Sequence, residues 1–220
     1  MNKSDWQDYF DQKAATHGAS VQASDYYDEK SFFMQRDNIL NWLGDLRGLD
    51  ILDAGCGVGA FSEPLVAANT VHGVDFSAKS LEYAAARGLK AQVGDLAALP
   101  FAAGSFDLVL CIGVIQLIDD HLTVLRELAR VTRPGGTLLV QTLHRGSLQR
   151  KILALFERSH KFDKMYAMAG LAADFAACGL GSCEFLKLYH PFRFTTTGGA
   201  GELGDFLCTS FALKGRKERD

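Results

Sequence analysis

The sequence predicts an α/β fold built on a doubly wound, mainly parallel sheet. Three observations predict it. From about residue 47 onward, short continuously apolar runs alternate with amphipathic stretches. Runs apolar on both faces suit strands buried on both sides, the condition of a parallel sheet covered by helices. The first run, Asp50 to Ala54, ends in a glycine-rich loop, and the fifth, Thr137 to Thr142, is launched from the turn Arg133-Pro134-Gly135-Gly136. Alternation of this kind is the pattern of doubly wound sheets.

Each element follows from its residues. Residues 1–46 carry no strand pattern. They hold aromatic-rich helical candidates around Trp6, Tyr9 and Phe10 and over Phe32 to Leu46, and they are expected to form a helical cap or lid on a domain spanning 47–220. Thr70 to Asp75 reads as the second strand, Lys90 to Val93 as a weaker third, and Phe106 to Ile112 as a fourth interrupted only by Asp107. Between them, Ala78 to Arg87 is an alanine-rich helix stopped by Gly88. His121 to Val131 places Leu122, Leu125, Leu128 and Ala129 at helical spacing. After the fifth strand, helices are expected over Ser147 to Ser159 and Asp163 to Cys178. Two further strands are expected over Cys183 to Phe194 and Phe206 to Lys214, joined by a connector from Thr195 to Gly204.

Composition narrows the function classes. Nearly half of the 220 residues are apolar and the formal net charge is −3. That is a globular composition with no electrostatic reason for a polyanionic partner, so nucleic acid is not expected. The one basic cluster, Lys214 to Arg219, reads as a solvated, frayed tail. No run is long and apolar enough to span a bilayer, and the first residues lack the apolar core of a secretion signal. Five cysteines are scattered without a Cys-x-x-Cys pair, so no metal site is indicated and free thiols in the cytoplasm are expected.

The chemistry concentrates in the loop Asp53-Ala54-Gly55-Cys56-Gly57-Val58-Gly59. Glycines after a strand and before a helix let the backbone turn sharply and let a ligand approach it. Alone they indicate only nucleotide-type binding, and with Ala60 a dinucleotide pattern of the G-x-G-x-x-A form also fits. Asp53, at the carboxyl end of the strand, would oppose a pyrophosphate but suit the cationic amino group of a methionine moiety. Asp75, ending strand two, is placed to accept two hydrogen bonds from a ribose diol, a device that nicotinamide enzymes share. Phe76 follows it and can pack on an adenine face, while Asp95 after strand three can accept from an adenine amino group.

Taken together, these stretches resemble the class I, Rossmann-like S-adenosylmethionine-dependent methyltransferases, most closely the small-molecule branch that includes quinone-biosynthesis enzymes. The resemblance rests on Ile51 to Ala60, Gly73 to Ser77, Gly94 to Phe101, Ser105 to Leu110 and Leu125 to Gly136, in order over roughly residues 50 to 142. It implies a seven-stranded sheet whose last strand is antiparallel, with an N-terminal helical lid. It also implies S-adenosylmethionine as methyl donor, with S-adenosylhomocysteine as its product. Asp53, Gly55, Cys56, Gly57 and Gly59 would then hold the methionine part, Asp75 the ribose, and Phe76, Asp95 and Leu96 the adenine. Ile112 would lie beside the cofactor, and Arg36 would reach its carboxylate. Where many relatives carry a histidine after strand four, this chain has Gln116, which can orient a substrate but cannot act as a base.

Methyl transfer from a sulfonium is a direct in-line displacement, and a base is needed only where the acceptor must lose a proton. His144, after strand five, and His190, beside Pro191, are the candidate bases; Gln116, Tyr26 and Tyr27 are candidates for the substrate pocket. No Asn/Asp-Pro-Pro-aromatic tetrad follows strand four and no Pro-Cys motif occurs, so a small-molecule acceptor is expected. The rival readings are an NAD(P)-dependent oxidoreductase, which Asp53 and the Pro-Gly-Gly turn oppose, and a non-catalytic S-adenosylmethionine-binding regulator. Oligomeric state is not legible.

Overall fold

A computed structural model describes residues 3–24, 28–148, 164–189, 194–200 and 205–219. Among them, eight strands form one sheet in the order β3-β2-β1-β4-β5-β8-β6-β7. The strands are β1 (Asp50–Ala54), β2 (Thr70–Asp75), β3 (Lys90–Val93), β4 (Phe106–Ile112), β5 (Thr132–Leu143), β6 (Leu180–Tyr189), β7 (Phe194–Gly198) and β8 (Ser210–Lys217). The first five are parallel, and β8 runs antiparallel between β5 and β6. The helices are α1 (Lys3–His17), α2 (Glu29–Leu43), α3 (Ala78–Ala86), α4 (His121–Val131) and α5 (Met168–Ala177).

The sheet is covered on both faces, as its apolar runs require. Val140 and Leu138 of β5, Val109 and Cys111 of β4, and Phe211 of β8 face α4 and α5 through Leu125, Leu128, Leu171 and Phe175. Leu108, Leu110 and Leu139 face the other way, with Phe32 and Ile39 of α2 and Leu81 and Ala84 of α3. Asp28, Ser77 and Asp120 cap α2, α3 and α4 by accepting from backbone N–H groups of the first turn. Asp11 of α1 takes the Ser77 hydroxyl at 2.5 Å, which fastens the N-terminal helix to the start of α3. Arg130 of α4 donates to the carbonyls of Phe101 and Leu99, and Glu127 accepts from the Leu99 N–H. These bonds latch the loop after β3 onto α4 and so fix Asp95 and Leu96.

The C-terminal half differs from the expected pattern in two ways. The sheet has eight strands rather than seven, because Thr195, Thr196 and Thr197 pair with β6 as an edge strand. The threonines are β-branched and suit a strand, whereas the neighbouring glycines made the stretch read as a connector. The helix expected from Asp163 begins at Met168, and most of the Ser147 to Ser159 stretch lies outside the described residues. Nor is the basic tail frayed: β8 continues to Lys217. The Lys214 ammonium sits 4.3 Å from the centre of the Trp42 ring. Lys217 Nζ donates to the carbonyls of Ala129, Arg130 and Thr132 at 2.8, 3.3 and 2.9 Å. Ala129 and Arg130 lie in the last turn of α4 and Thr132 caps it, so the cation meets the negative end of the helix dipole. Lys217→Met is expected to lower stability by about 1–3 kcal/mol. Thermal unfolding checks this, and an unchanged midpoint would show that Lys217 does not stabilise the end of α4.

Candidate active site

Strand order reverses between β1 and β4, and ligands of open α/β sheets bind at the carboxyl ends of strands beside that switch. Two adjoining cavities lie there. The larger, of about 360 Å³, is lined by Trp6 and Phe10 of α1, by Gly57, Asp75, Phe76, Asp95 and Leu96, and by residues after β4. The smaller is lined by Val21, Phe32, Asp53, Cys56 and Phe61 among others. Ser24, Gly55 and Ile112 line both.

The glycine loop has the conformation that its sequence demands. Gly55 and Gly57 have φ of +80° and +50°, where a side chain is strained. A Cβ on Gly55 would run into Val114, and one on Gly57 would stand 2.6 Å from the Ser24 hydroxyl. The loop is held from outside by Asp75, whose Oδ2 accepts from the Gly57 N–H at 2.9 Å while its Oδ1 accepts from the Ser77 N–H at 2.9 Å. An ionised carboxylate has about four acceptor positions. The positions not used by the backbone are open to a ligand diol. Burial pushes the Asp75 carboxyl above the usual range, opposed by these backbone donors.

Asp53 is 1% exposed and accepts a hydrogen bond from the Ser62 hydroxyl. Burial, reinforced by the charge of Asp75 and opposed by the Ser62 bond, raises its pKa to about 7. Cys56 is buried too, and its thiol is pushed well above the ordinary value, first by burial and then by Asp53 and Asp75. It is therefore a packing residue and not a nucleophile near neutral pH. Phe76 meets Phe10 edge-on, with ring centres 5.9 Å apart. Asp95 closes its own turn by accepting from the Ala97 N–H.

Sign of charge decides between ligand classes. Asp53, Asp75, Asp95, Asp119 and Asp120 line the two cavities, and no Lys, Arg or His does so among the described residues. Lys164 pairs with Asp119 from outside the lining. A dinucleotide pyrophosphate would meet only like charge here, whereas a sulfonium or ammonium cation meets opposite charge. The residues present thus fit the methionine and ribose ends of S-adenosylmethionine.

Comparison with known proteins agrees. A family model of the methyltransferase domain matches residues 52–140. The chain is 31% identical over 186 residues to a ubiquinone biosynthesis O-methyltransferase of Bordetella bronchiseptica, covering 73% of this chain and 77% of the relative. The chain belongs to the class I S-adenosylmethionine-dependent methyltransferases. It is also 35% identical to a malonyl-[acyl-carrier protein] O-methyltransferase of Erwinia pyrifoliae, covering 79% of this chain and 69% of that one. The fold is shared with the crystal structure of magnesium protoporphyrin IX methyltransferase from Synechocystis with bound S-adenosylhomocysteine. The TM-score is 0.71 at 21% identity, over 99% of this chain and 100% of the other.

The remaining candidates of the methyltransferase are distributed differently. His144 is 7% exposed and lies on the α4 and α5 side of β5, its ring 5.8 Å from that of Phe211 and covered by Gly146. It lines neither cavity. Gln116 is likewise outside the lining, its Oε1 accepting from the Thr142 hydroxyl at 3.1 Å. Arg36 is engaged elsewhere: it pairs with Asp37, reaches the Ala60 carbonyl and stacks over Phe33. His190, Tyr26 and Tyr27 lie outside the described residues. Sequence reasoning passed over Ser24, Ser62 and Val114. Ser24 and Val114 matter because they fill the space that glycine leaves, and no local motif announces such a contact. Trp6 and Phe10 carried a signal in their spacing of four, which puts both on one helix face.

Proposed function

We propose that this methyltransferase transfers the methyl group to an oxygen atom of its small-molecule acceptor. The acidic cavity, without a basic lining residue among the described residues, supports the donor site, and the two relatives above, both O-methyltransferases, support oxygen as the target. In this reading the larger cavity takes the adenosine and the smaller the methionine end. Asp75 receives the ribose diol, Phe76, Asp95 and Leu96 border the adenine, and Asp53 with the loop through Gly59 serves the cationic end. When bound, the cofactor supplies an electrophilic methyl group on a sulfonium. The protein supplies alignment and exclusion of water, which in favourable cases contribute about 7–11 kcal/mol. Residues 1–46 act as a cap, since Trp6, Phe10, Val21, Ser24 and Phe32 form one wall of the site. The shared lining at Ser24, Gly55 and Ile112 marks where the methyl group passes to the acceptor. No helix among the described residues is long and apolar enough to cross a membrane, and a cytoplasmic enzyme without a nucleic-acid partner fits the thiols and the charge.

The test supplies methyl-labelled S-adenosylmethionine with acceptors bearing hydroxyl, carboxyl, amine or activated carbon groups. Label recovered as ether or ester supports the reading. Label on nitrogen or carbon, or in added nucleic acid, overturns it.

A further inference from the structure

Helix α1 brings Trp6 and Phe10 to the larger cavity, yet little apolar burial holds it there. Of its described side chains, only Ala14 is buried. A helix anchored so lightly opens at a lower free energy than the core. Two polar pins at opposite ends of α3 hold it instead. At the start of α3, Asp11 Oδ1 accepts from the Ser77 hydroxyl at 2.5 Å and from the Lys79 N–H at 3.3 Å. The first N–H groups of a helix and its dipole favour a carboxylate there. At the far end of α3, Arg87 donates to the Ala19 carbonyl at 2.8 Å and to the Val58 carbonyl of the glycine loop at 3.2 Å. Gly18, with φ of +62°, ends α1 between the two pins. The Asp11 pin is the one beside the aromatic pair, where Trp6 stacks on Phe10 at 6.0 Å and Phe10 meets Phe76. Ser77 also donates its N–H to Asp75, so the residue that receives α1 is bonded to the carboxylate proposed for the ribose.

We propose that Asp11 is a positioning residue that latches α1 over the donor site, and that S-adenosylmethionine and S-adenosylhomocysteine pass when the Asp11–Ser77 bond opens. The inference rests on the reading of the larger cavity as the adenosine site. The Arg87 pin stays engaged while α1 swings about Gly18, which carries Trp6 and Phe10 off the cavity. Asp11 lines neither cavity, so its bonds are made to the protein alone. Loss of the latch therefore speeds passage in both directions and leaves the contacts of the bound ligand as they were. A hydrogen bond to a carboxylate shifts such an opening equilibrium about tenfold or more.

The test is stopped-flow fluorescence of the full chain carrying Trp42→Phe, in which Trp6 is the sole tryptophan. The protein is mixed with S-adenosylhomocysteine at several concentrations. The slope of the observed rate against concentration gives entry, and the intercept gives exit. Asp11→Ala should raise both about tenfold while their ratio, the affinity, changes by less than about threefold. Asp11→Asn keeps one acceptor oxygen and should fall between the two, and it carries the test if the alanine variant does not fold. Unchanged rates overturn the proposal. So does lost affinity with an unchanged entry rate, the result if Asp11 merely supported Asp75. A Trp6 signal indifferent to ligand that calorimetry shows to be bound overturns it as well. Failure of the wild-type protein to bind S-adenosylhomocysteine in calorimetry would instead overturn the reading of the site on which the proposal stands.

Discussion

Asp75→Ala should weaken binding of S-adenosylhomocysteine about a hundredfold or more. Two hydrogen bonds from a ribose diol to an ionised carboxylate are each worth about 1.5–3 kcal/mol, and about 1.4 kcal/mol is tenfold. The substitution also strips the Gly57 N–H of its acceptor, so the loop that must lie against the ligand loses its outer anchor. Asp75→Asn keeps one oxygen that can accept and should fall between the two. Calorimetry well below the melting midpoint separates lost affinity from lost fold. Unchanged affinity in the alanine variant would take Asp75 out of the ribose site.

Asp53→Asn should act in opposite directions on stability and on affinity. In the fold, burial disfavours the charge of Asp53 and raises its pKa from the ordinary 3.8 to about 7. A carboxyl whose folded pKa is raised binds its proton more tightly in the folded protein. Its contribution to stability is therefore greatest below about pH 4 and declines as pH rises to about 7, by up to about 4 kcal/mol. Asparagine carries no charge and can still accept from Ser62. The variant should melt higher than wild type at pH 8, yet bind S-adenosylmethionine about 10–100-fold more weakly, because the cation loses its counter-charge. Wild-type affinity should rise with pH up to about 7 and then level off, and the variant should lose that dependence. A wild-type profile flat from pH 5.5 to 8 would show that Asp53 does not face the cation.

The parallel half of the fold was legible because its physics is local. A strand buried on both faces has to be largely apolar, as β1 and β4 are, and the bounds expected for β1 to β4 match those observed, although β3 is an exposed edge strand. The glycine loop was legible for the same reason, since positive φ at Gly55 and Gly57 is a property of single residues. The C-terminal half depends on partners distant in sequence. Thr195 to Thr197 become a strand because β6 offers an edge, and Lys217 is ordered because α4 ends beneath it, 85 or more residues earlier in the chain. The acceptor side was the least legible part of the site. His144 was judged by its place at the end of β5, but one residue of register sends a strand side chain to the opposite face. That alternation buries His144 against Phe211.

We assign the acidic cavity at the carboxyl ends of β1 to β4 as the methyl-donor site. Calorimetric titration of the wild-type protein with S-adenosylhomocysteine, and separately with NADH, tests it most directly. Saturable binding of one S-adenosylhomocysteine per chain and no heat with NADH are expected. Binding of NADH without binding of S-adenosylhomocysteine would contradict it.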